Sequence, residues 1–591
     1  MSAIFGFTGS PDHKLQDALN RSLAHRGGDS CFASVENLTV GLRRRIVTTQ
    51  HPPIAQAGDS HVARGALSLT VAGRISGVSP EQTLIEIQRR GLDTALATIR
   101  GAFILLWYDA ESGILRIVRD PAGERSVYYG WHAGRLIFAS EPAAVRQAPG
   151  FPRRLRAAAV GQYLSFSFVP GYETMLEDLF ELPAGHYLEL NTRERGARPT
   201  LVRYFRLEDF EHHAITGERT PDADAAAIQA FRANLEQCVA ERLEHRATDP
   251  GIFLSGGLDS SLVAATVRRM HAGPVRTYAL HFGRKYPNEL SYARSVADRI
   301  GSVHREIEIR PRAFLRRLWD MVGRLGEPIG DPVTIGNFEL AREVSREVEY
   351  VFNGEGGDPC FGGPKNIPMM LSHWYGTGAA EARRRARTYL GTYQRCYEEL
   401  PGILSPEFAR NFDPAAHLED LLVPFFDAER PTSFLKKLLA INIRLKGAHL
   451  ILPKVERMTG AWGLESLAPL FDRRMIETAM ALPSHLILDR GVEKIALKRA
   501  FAAELPPEII ERPKSGMRVP VYFWFRGELK SYARKILHPR EIRRAGIFNE
   551  HRVKQLLQYD IEEGAGRFGI RLWILLTFEI WRRIVIEGER G

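Results

Sequence analysis

The sequence predicts an α/β protein in two parts, an antiparallel β-rich half followed by a parallel sheet with helices on both faces and further helices after it. Three observations predict this. Residues 1–207 hold short β-like runs parted by Gly and Pro. From residue 225 apolar strands alternate with helical runs, the pattern of a parallel sheet. Between them, residues 208–224 are polar, carry His, Asp, Thr and Pro, and read as a linker. The expected domains are therefore 1–207 and 225–591.

In chain order, Asp12 to Ala24 reads as a helix with Leu15, Ala18, Leu19 and Leu23 on one face. Gly101 to Tyr108 and Leu115 to Arg119 read as strands. Ala225 to Glu244 is a long helical run. The strand Gly251 to Leu254 follows, then a Gly turn and a helix from about Ser260. Thr277 to Phe282 and Glu349 to Phe352 are the next strands, and from Met370 the chain reads as mostly helical.

Composition bounds the function. The chain has 591 residues, 44% hydrophobic and 25% charged, which excludes a disordered or collagen-like chain. Lys+Arg 80 less Asp+Glu 70 gives +10, a small excess that suits nucleotides and pyrophosphate and does not imply nucleic acid. Apolar runs such as Phe103–Trp107 are far short of the roughly 20 residues of a membrane span. The N-terminus lacks the features of a signal peptide. Cys31, Cys238, Cys360 and Cys396 are scattered, so a reduced cytoplasmic protein without disulfides or zinc is expected. Arg43–Arg45 and Arg383–Arg385 read as solvated surface.

The segment Phe253-Leu254-Ser255-Gly256-Gly257-Leu258-Asp259-Ser260-Ser261 carries the chemistry. A strand runs through two glycines into a helix whose N-terminal N–H groups favour an anion. Ser255, Ser260 and Ser261 add hydroxyl donors. Asp259 would repel phosphate unless a metal stood between them, so it reads as a Mg²⁺ ligand. The Gly-Lys-Ser/Thr ending of a Walker A loop is missing.

This segment resembles the loop of the PP-loop ATP pyrophosphatases, which cleave ATP between the α- and β-phosphates. Phe352-Asn353-Gly354-Glu355-Gly356-Gly357-Asp358, followed by Phe361-Gly362-Gly363, resembles the Gly-Glu-Gly-x-Asp-Glu loop of the asparagine synthetase B family, with Pro359 where that family usually has Glu. Leu452–Met458, Trp462–Glu465, Pro469–Asp472 and Arg512–Pro520 resemble further segments of that family in the same order. Lys454 and Glu456 stand where Arg and Asp are usual. The resemblance implies ATP and Mg²⁺ as cofactors. It implies Leu254, Ser255, Gly256, Gly257, Asp259, Ser260, Phe282 and Gly354 around ATP and pyrophosphate, and Asp259 and Asp358 as metal ligands. It implies Glu355 as general base or amine orienter and Lys514 as the cation at the α-phosphate. The implied fold is a PP-loop parallel-sheet domain behind an Ntn-type αββα sandwich.

The first half resembles the class II glutamine amidotransferase domain of that family through Ile4–Gly6, His25–Ser30, Gly101–Phe103, Arg119–Asp120, Ala139–Glu141 and Leu182–Gly185. Such domains use an N-terminal cysteine as nucleophile. Here Ser2 stands in its place, and Ala72-Gly73-Arg74 replaces the Asn-Gly-Glu that holds the glutamine. Glutaminase activity is therefore not expected, and the amine must come from elsewhere. Among relatives with such a silent half the chain most resembles the lasso peptide cyclases, and this resemblance implies an enzyme that adenylates an Asp or Glu side chain of a leader-free precursor peptide and joins it to the peptide's N-terminal amine. A leader peptidase and a leader-recognition protein are implied partners. The helical stretch from Asn366 to Leu439 is expected to wall a peptide-sized cavity. Two alternatives remain: an asparagine synthetase-like or β-lactam synthetase-like amide ligase using ammonia or a small-molecule amine, and a catalytically silent nucleotide-binding protein.

Overall fold

A computed structural model describes residues 2–44, 60–194, 196–211, 220–244, 246–363, 366–375, 381–393, 395–410, 413–513, 516–517, 519–562 and 568–589. The N-terminal part is a four-layer αββα sandwich. One antiparallel sheet holds, in spatial order, strands Asp29–Val35, Leu38–Arg44, Ala3–Thr8, Arg135–Ala139, Tyr128–His132 and Leu179–Glu181. The other holds Ser60–Arg64, Leu67–Ile75, Gly101–Asp109, Ile114–Arg119, His186–Asn191 and Thr200–Arg203. Ile4, Val40, Leu106, Ile117 and Phe138 are buried between the two sheets. Alternation along each strand sends the other side chains outward, where helices cover them. Helix Pro80–Arg90 lays Leu84 and Ile87 on Val71, Phe103 and Leu105 of the second sheet. Helix His13–Ser22 covers the first with Leu15 and Leu19, and Asp12 caps it by accepting from the Leu15 N–H at 3.0 Å.

The second part is built on a five-stranded parallel sheet. Its strands are β1 (Gly251–Phe253), β2 (Arg276–His281), β3 (Val303–Glu308), β4 (Tyr350–Phe352) and β5 (Glu465–Leu467), in the order β3-β2-β1-β4-β5. The order reverses beside β1, so the crevice for a ligand lies beyond the C-terminal ends of β1 and β4. Helix Leu258–Met270 leaves β1 fully buried over its first ten residues.

Several expectations need correction. Helix Pro221–Leu243 starts inside the expected linker, because Thr220 caps it through the Ala223 N–H and Pro221 fits the first helical position. Strands β3 and β5 are additional. β3 is an edge strand of alternating exposure, Val-His-Arg-Glu-Ile-Glu, with one buried residue, so it lacks the apolar run that marks a central strand. In region 366–439, helices Ala382–Tyr393 and Pro414–Asp427 pack on helix Ala157–Phe166 of the N-terminal half, as in the edge-on contact of Phe166 and Tyr393 at 5.1 Å, while helix Phe434–Ile441 packs on the stretch Asn442–Ile451 that follows it.

The two parts meet through buried charge. Arg26, fully buried, is bonded to Glu141 of its own half and to Glu456 of the other at 3.1 Å, while His25 holds Glu141 at 2.8 Å. Burial alone would raise the Glu141 pKa, but Arg26 and His25 outweigh it and hold the carboxyl well below the usual range. Arg242 bonds Glu124 at 2.6 Å and Asp472 at 2.8 Å, again across the boundary. Removing one member of such a set leaves a bare charge in the interior. Arg26→Met is expected to lower stability by about 3–5 kcal/mol, read from the urea midpoint. Arg90→Met, at a solvent-facing ion pair with Glu86, is the control and leaves the midpoint in place.

Candidate functional site

Beyond the ends of β1 and β4 lies a cleft of about 320 Å³. The loop after β1 forms one wall. Gly256 turns the chain with φ +77°, and a Cβ there would stand 2.5 Å from the Ala293 nitrogen. The Ser255 hydroxyl lies 3.0 Å from that of Ser260 and accepts from the Gly257 N–H at 3.2 Å, which fixes the turn before the helix. Gly257, Asp259 and Ser260 at the helix start then face the cleft, where the positive end of the helix dipole favours an anion.

The loop after β4 forms the opposite wall. The Asn353 side chain donates to Ser466 at 2.8 Å and accepts from the Glu355 N–H at 2.9 Å, so it sets the course of the loop. Gly357 permits the closest approach: a Cβ on it would lie 2.2 Å from the Asp259 carboxyl carbon. Asp259 and Asp358 thereby reach a common partner, the Lys494 ammonium. It stands 2.7 and 2.6 Å from the two Asp259 oxygens and is also bonded to Asp358.

A third wall comes from helix Leu452–Gly460 and the π-helical stretch Asn442–Ile451 before it. Lys454 donates to Asp331 at 2.8 Å. Burial opposes ionisation of Asp331, but the ammonium outweighs it and brings the carboxyl down to about 2. Lys446 also lines the cleft and makes no hydrogen bond among the described residues. Burial lowers its pKa, while Asp358 and Glu355 across the cleft favour its charge. π-Helical turns are frequent at functional sites, and this one is held from the N-terminal half. Arg119 donates to the Ala448 carbonyl at 3.1 Å, His449 meets Glu181 at 2.9 Å, and Arg444 donates to Ala184 and Phe205 carbonyls at 2.8 and 3.0 Å. A second pocket of about 110 Å³ adjoins the cleft through Ser255, Leu280 and Met517, with Phe282 on its wall.

Leu254, Ser255, Gly257, Asp259, Ser260, Gly354, Glu355 and Asp358 thus share the cleft, and Phe282 borders the adjoining pocket. Gly256 makes the turn without lining the cleft. Lys514 lies outside the described residues. No described residue of 366–439 lines the cleft. Lys494, Lys446 and Asp331 are members that the motifs did not mark. Lys494 follows a two-stranded hairpin and Lys446 sits in an irregular helix, so no local pattern signals either. The donor set fits Mg²⁺: two hard carboxylates already gathered on a cation, beside a helix start suited to phosphate. Among the described residues no cluster of three or more His, Cys, Asp or Glu is poised for a metal, so the remaining ligands would be phosphate oxygens and water.

The N-terminal half holds no comparable cleft at Arg74. Its guanidinium bonds the backbone and side chain of Glu244 at 3.3 and 3.2 Å, and the cavity beside it is about 30 Å³, room for about one water. Arg125, Arg242 and Arg246 line it together with Glu124, Glu241 and Glu465. No helix among the described residues is long and apolar enough to cross a membrane.

Two family profiles match the sequence: one described as Asparagine synthase over residues 230–583, and one described as Glutamine amidotransferase domain over residues 75–201. The chain is 24% identical over 615 aligned positions to asparagine synthetase [glutamine-hydrolyzing] 1 of Bacillus subtilis, covering 97% of this chain and 94% of that one. It is 27% identical to a putative asparagine synthetase [glutamine-hydrolyzing] of Mycobacterium bovis, covering 83% and 78%. A putative asparagine synthetase [glutamine-hydrolyzing] 2 of Methanocaldococcus jannaschii is 26% identical over 49% of this chain and 54% of its own length.

Two outcomes test this geometry. Gly357→Ala displaces Asp259, and ATP binding by calorimetry is expected to weaken at least about tenfold, or 1.4 kcal/mol. Gly402→Ala, with open space around it, leaves binding unchanged. In the second test Lys454→Met strands the Asp331 carboxylate. The pair's stabilisation is complete above the ordinary carboxyl pKa and lost as pH falls through about 2. The variant is thus expected to be less stable than the parent at pH 6, with the gap closing toward pH 2 in thermal melts.

Proposed function

The chain belongs to the asparagine synthase family and is an ATP-dependent amide-forming ligase, and from that premise we propose which amide it makes. The reading is a peptide cyclase that activates an Asp or Glu side chain of a short precursor peptide as the acyl-adenylate and closes a macrolactam with the peptide's own N-terminal amine. The observation that carries it is Arg74. A glutamine would find a space for about one water, lined by four arginines and three glutamates, with Arg74 tied to Glu244. With Ser2 as the N-terminal nucleophile candidate, the amine is taken to arrive with the substrate. A leader peptidase and a leader-recognition protein would supply the leader-free peptide.

In this reading ATP lies across the cleft with its pyrophosphate at Ser255, Gly257 and Ser260 and its adenine toward Phe282. Asp259 and Asp358 would hold Mg²⁺, which when bound neutralises charge on the leaving pyrophosphate. Lys446 and Lys454 put positive charge where the substrate carboxylate must approach the α-phosphate. Glu355, its backbone set by Asn353, takes the proton from the attacking amine. Lys514 would steady the negative charge that develops on the acyl group.

One observation favours a second reading, amide formation with ammonia or a small amine. The cleft of about 320 Å³ is modest, and no described residue of 366–439 lines it. Product analysis separates the two. Express the chain with the neighbouring open reading frames of its own DNA, and examine peptides by mass spectrometry. A peptide one water lighter than its linear form, absent with Asp259→Ala, supports the cyclase. Asparagine or another small amide from purified protein, ATP and ammonia moves the assignment to the second reading. Ser2→Ala is expected to leave product yield unchanged; its loss would contradict a silent amidotransferase half.

A further inference from the structure

Asp259 and Asp358 are bridged by an ammonium of this chain, at the place where a carboxylate pair would grip a divalent cation. The Lys494 side chain is 2% exposed. Its donors meet both Asp259 oxygens and one oxygen of Asp358, which uses all three N–H bonds of an ammonium. The backbone holds it there: Lys494 has φ +60° and ψ 38°, and its N–H donates to the Ile487 carbonyl at 2.7 Å, just before helix Ile495–Phe501. A non-glycine residue in the left-handed region persists only where its surroundings fix it.

We propose that Lys494 is the resident counter-ion of the metal site, and that it makes metal binding conditional on a pyrophosphate group. The proposal deepens the ATP-site reading and rests on it. Two carboxylates and one ammonium carry a net charge of −1. A divalent ion arriving alone must break three charge-assisted hydrogen bonds and leave the ammonium buried beside it without acceptors, which is costly. A metal that arrives with pyrophosphate oxygens brings new acceptors. The ammonium turns from the carboxylates to the phosphate, and the carboxylates are released to the metal. The coupling is reciprocal, so pyrophosphate tightens the metal and the metal tightens pyrophosphate by the same factor. When the product departs, the ammonium re-pairs with the carboxylates, and metal and pyrophosphate leave together.

The test uses the full chain and Mn²⁺ as probe, with free Mn²⁺ read by electron paramagnetic resonance. The parent protein should bind Mn²⁺ at this site only when inorganic pyrophosphate is present. Lys494→Asn removes the charge with a residue that tolerates the left-handed backbone. It should bind Mn²⁺ without pyrophosphate at least about tenfold more tightly than the parent, a difference of 1.4 kcal/mol. Adding Asp259→Asn to that variant should abolish the gain, which separates this site from adventitious ones. Equal Mn²⁺ affinity in parent and variant, or a variant that still requires pyrophosphate, overturns the proposal. Should Lys494→Asn not fold, Lys494→Gln and the parent's own titrations decide: a parent that binds Mn²⁺ equally with and without pyrophosphate refutes it. None of these readouts depends on which acid or amine is joined, so a wrong product assignment and a wrong role for Lys494 show up in different experiments.

Discussion

Two carboxylates cannot stand side by side in a half-closed cleft without a cation between them, and Lys494 supplies one. The arrangement of the second half follows from bringing these three groups together. Asp259 rides on the first turn of the helix after β1, and Asp358 on the first turn of the short helix Gly357–Phe361 after β4. Only a sheet in which β1 and β4 are neighbours delivers both to one crevice, and the missing side chains at Gly354 and Gly357 let the two segments touch. The hairpin before Lys494 brings the ammonium in from a distant stretch of chain.

This division also explains what the sequence made legible. The two glycine-rich loops are local, each a strand end followed by residues whose backbone freedom and charge are written in order. Asp259, Ser260, Glu355 and Asp358 could be marked without knowing the fold. Lys494, Lys446 and Asp331 act through neighbours far off in the chain, and one lysine among many carries no local mark. Strands β1 and β4 were readable because burial in the middle of the sheet makes them apolar. Edge strand Val303–Glu308 was not, since its outer face meets solvent and takes charged residues. The helices of 366–439 show the limit of reading by surplus length: their amphipathic pattern reveals that they bury a face, but not which surface covers it.

The amidotransferase-like half has a structural task that does not require it to hydrolyse glutamine. Its Arg119 and Glu181, with Arg444 reaching into it from the other side, fasten the π-helical stretch that carries Lys446. Burial would push the Glu181 carboxyl up, but His449 and Arg119 bring it down to about 2, so Glu181 stays ionised at any ordinary pH. A cleft wall irregular in its own hydrogen bonding is thereby steadied by contacts from outside the synthetase half.

The charged seam between the halves bears on how such a protein could change over evolutionary time. Arg26 needs Glu456, Arg242 needs Glu124, and Arg125 shares Glu465 with Arg246. Each of these sets has members in both halves. A recombinant that took its first two hundred residues from one relative and the remainder from another would inherit half of each set and bury unmatched charge along the whole boundary. The two halves are therefore not interchangeable modules. Drift on one face of the seam must be answered on the other, which couples a half free to lose its chemistry to one that cannot.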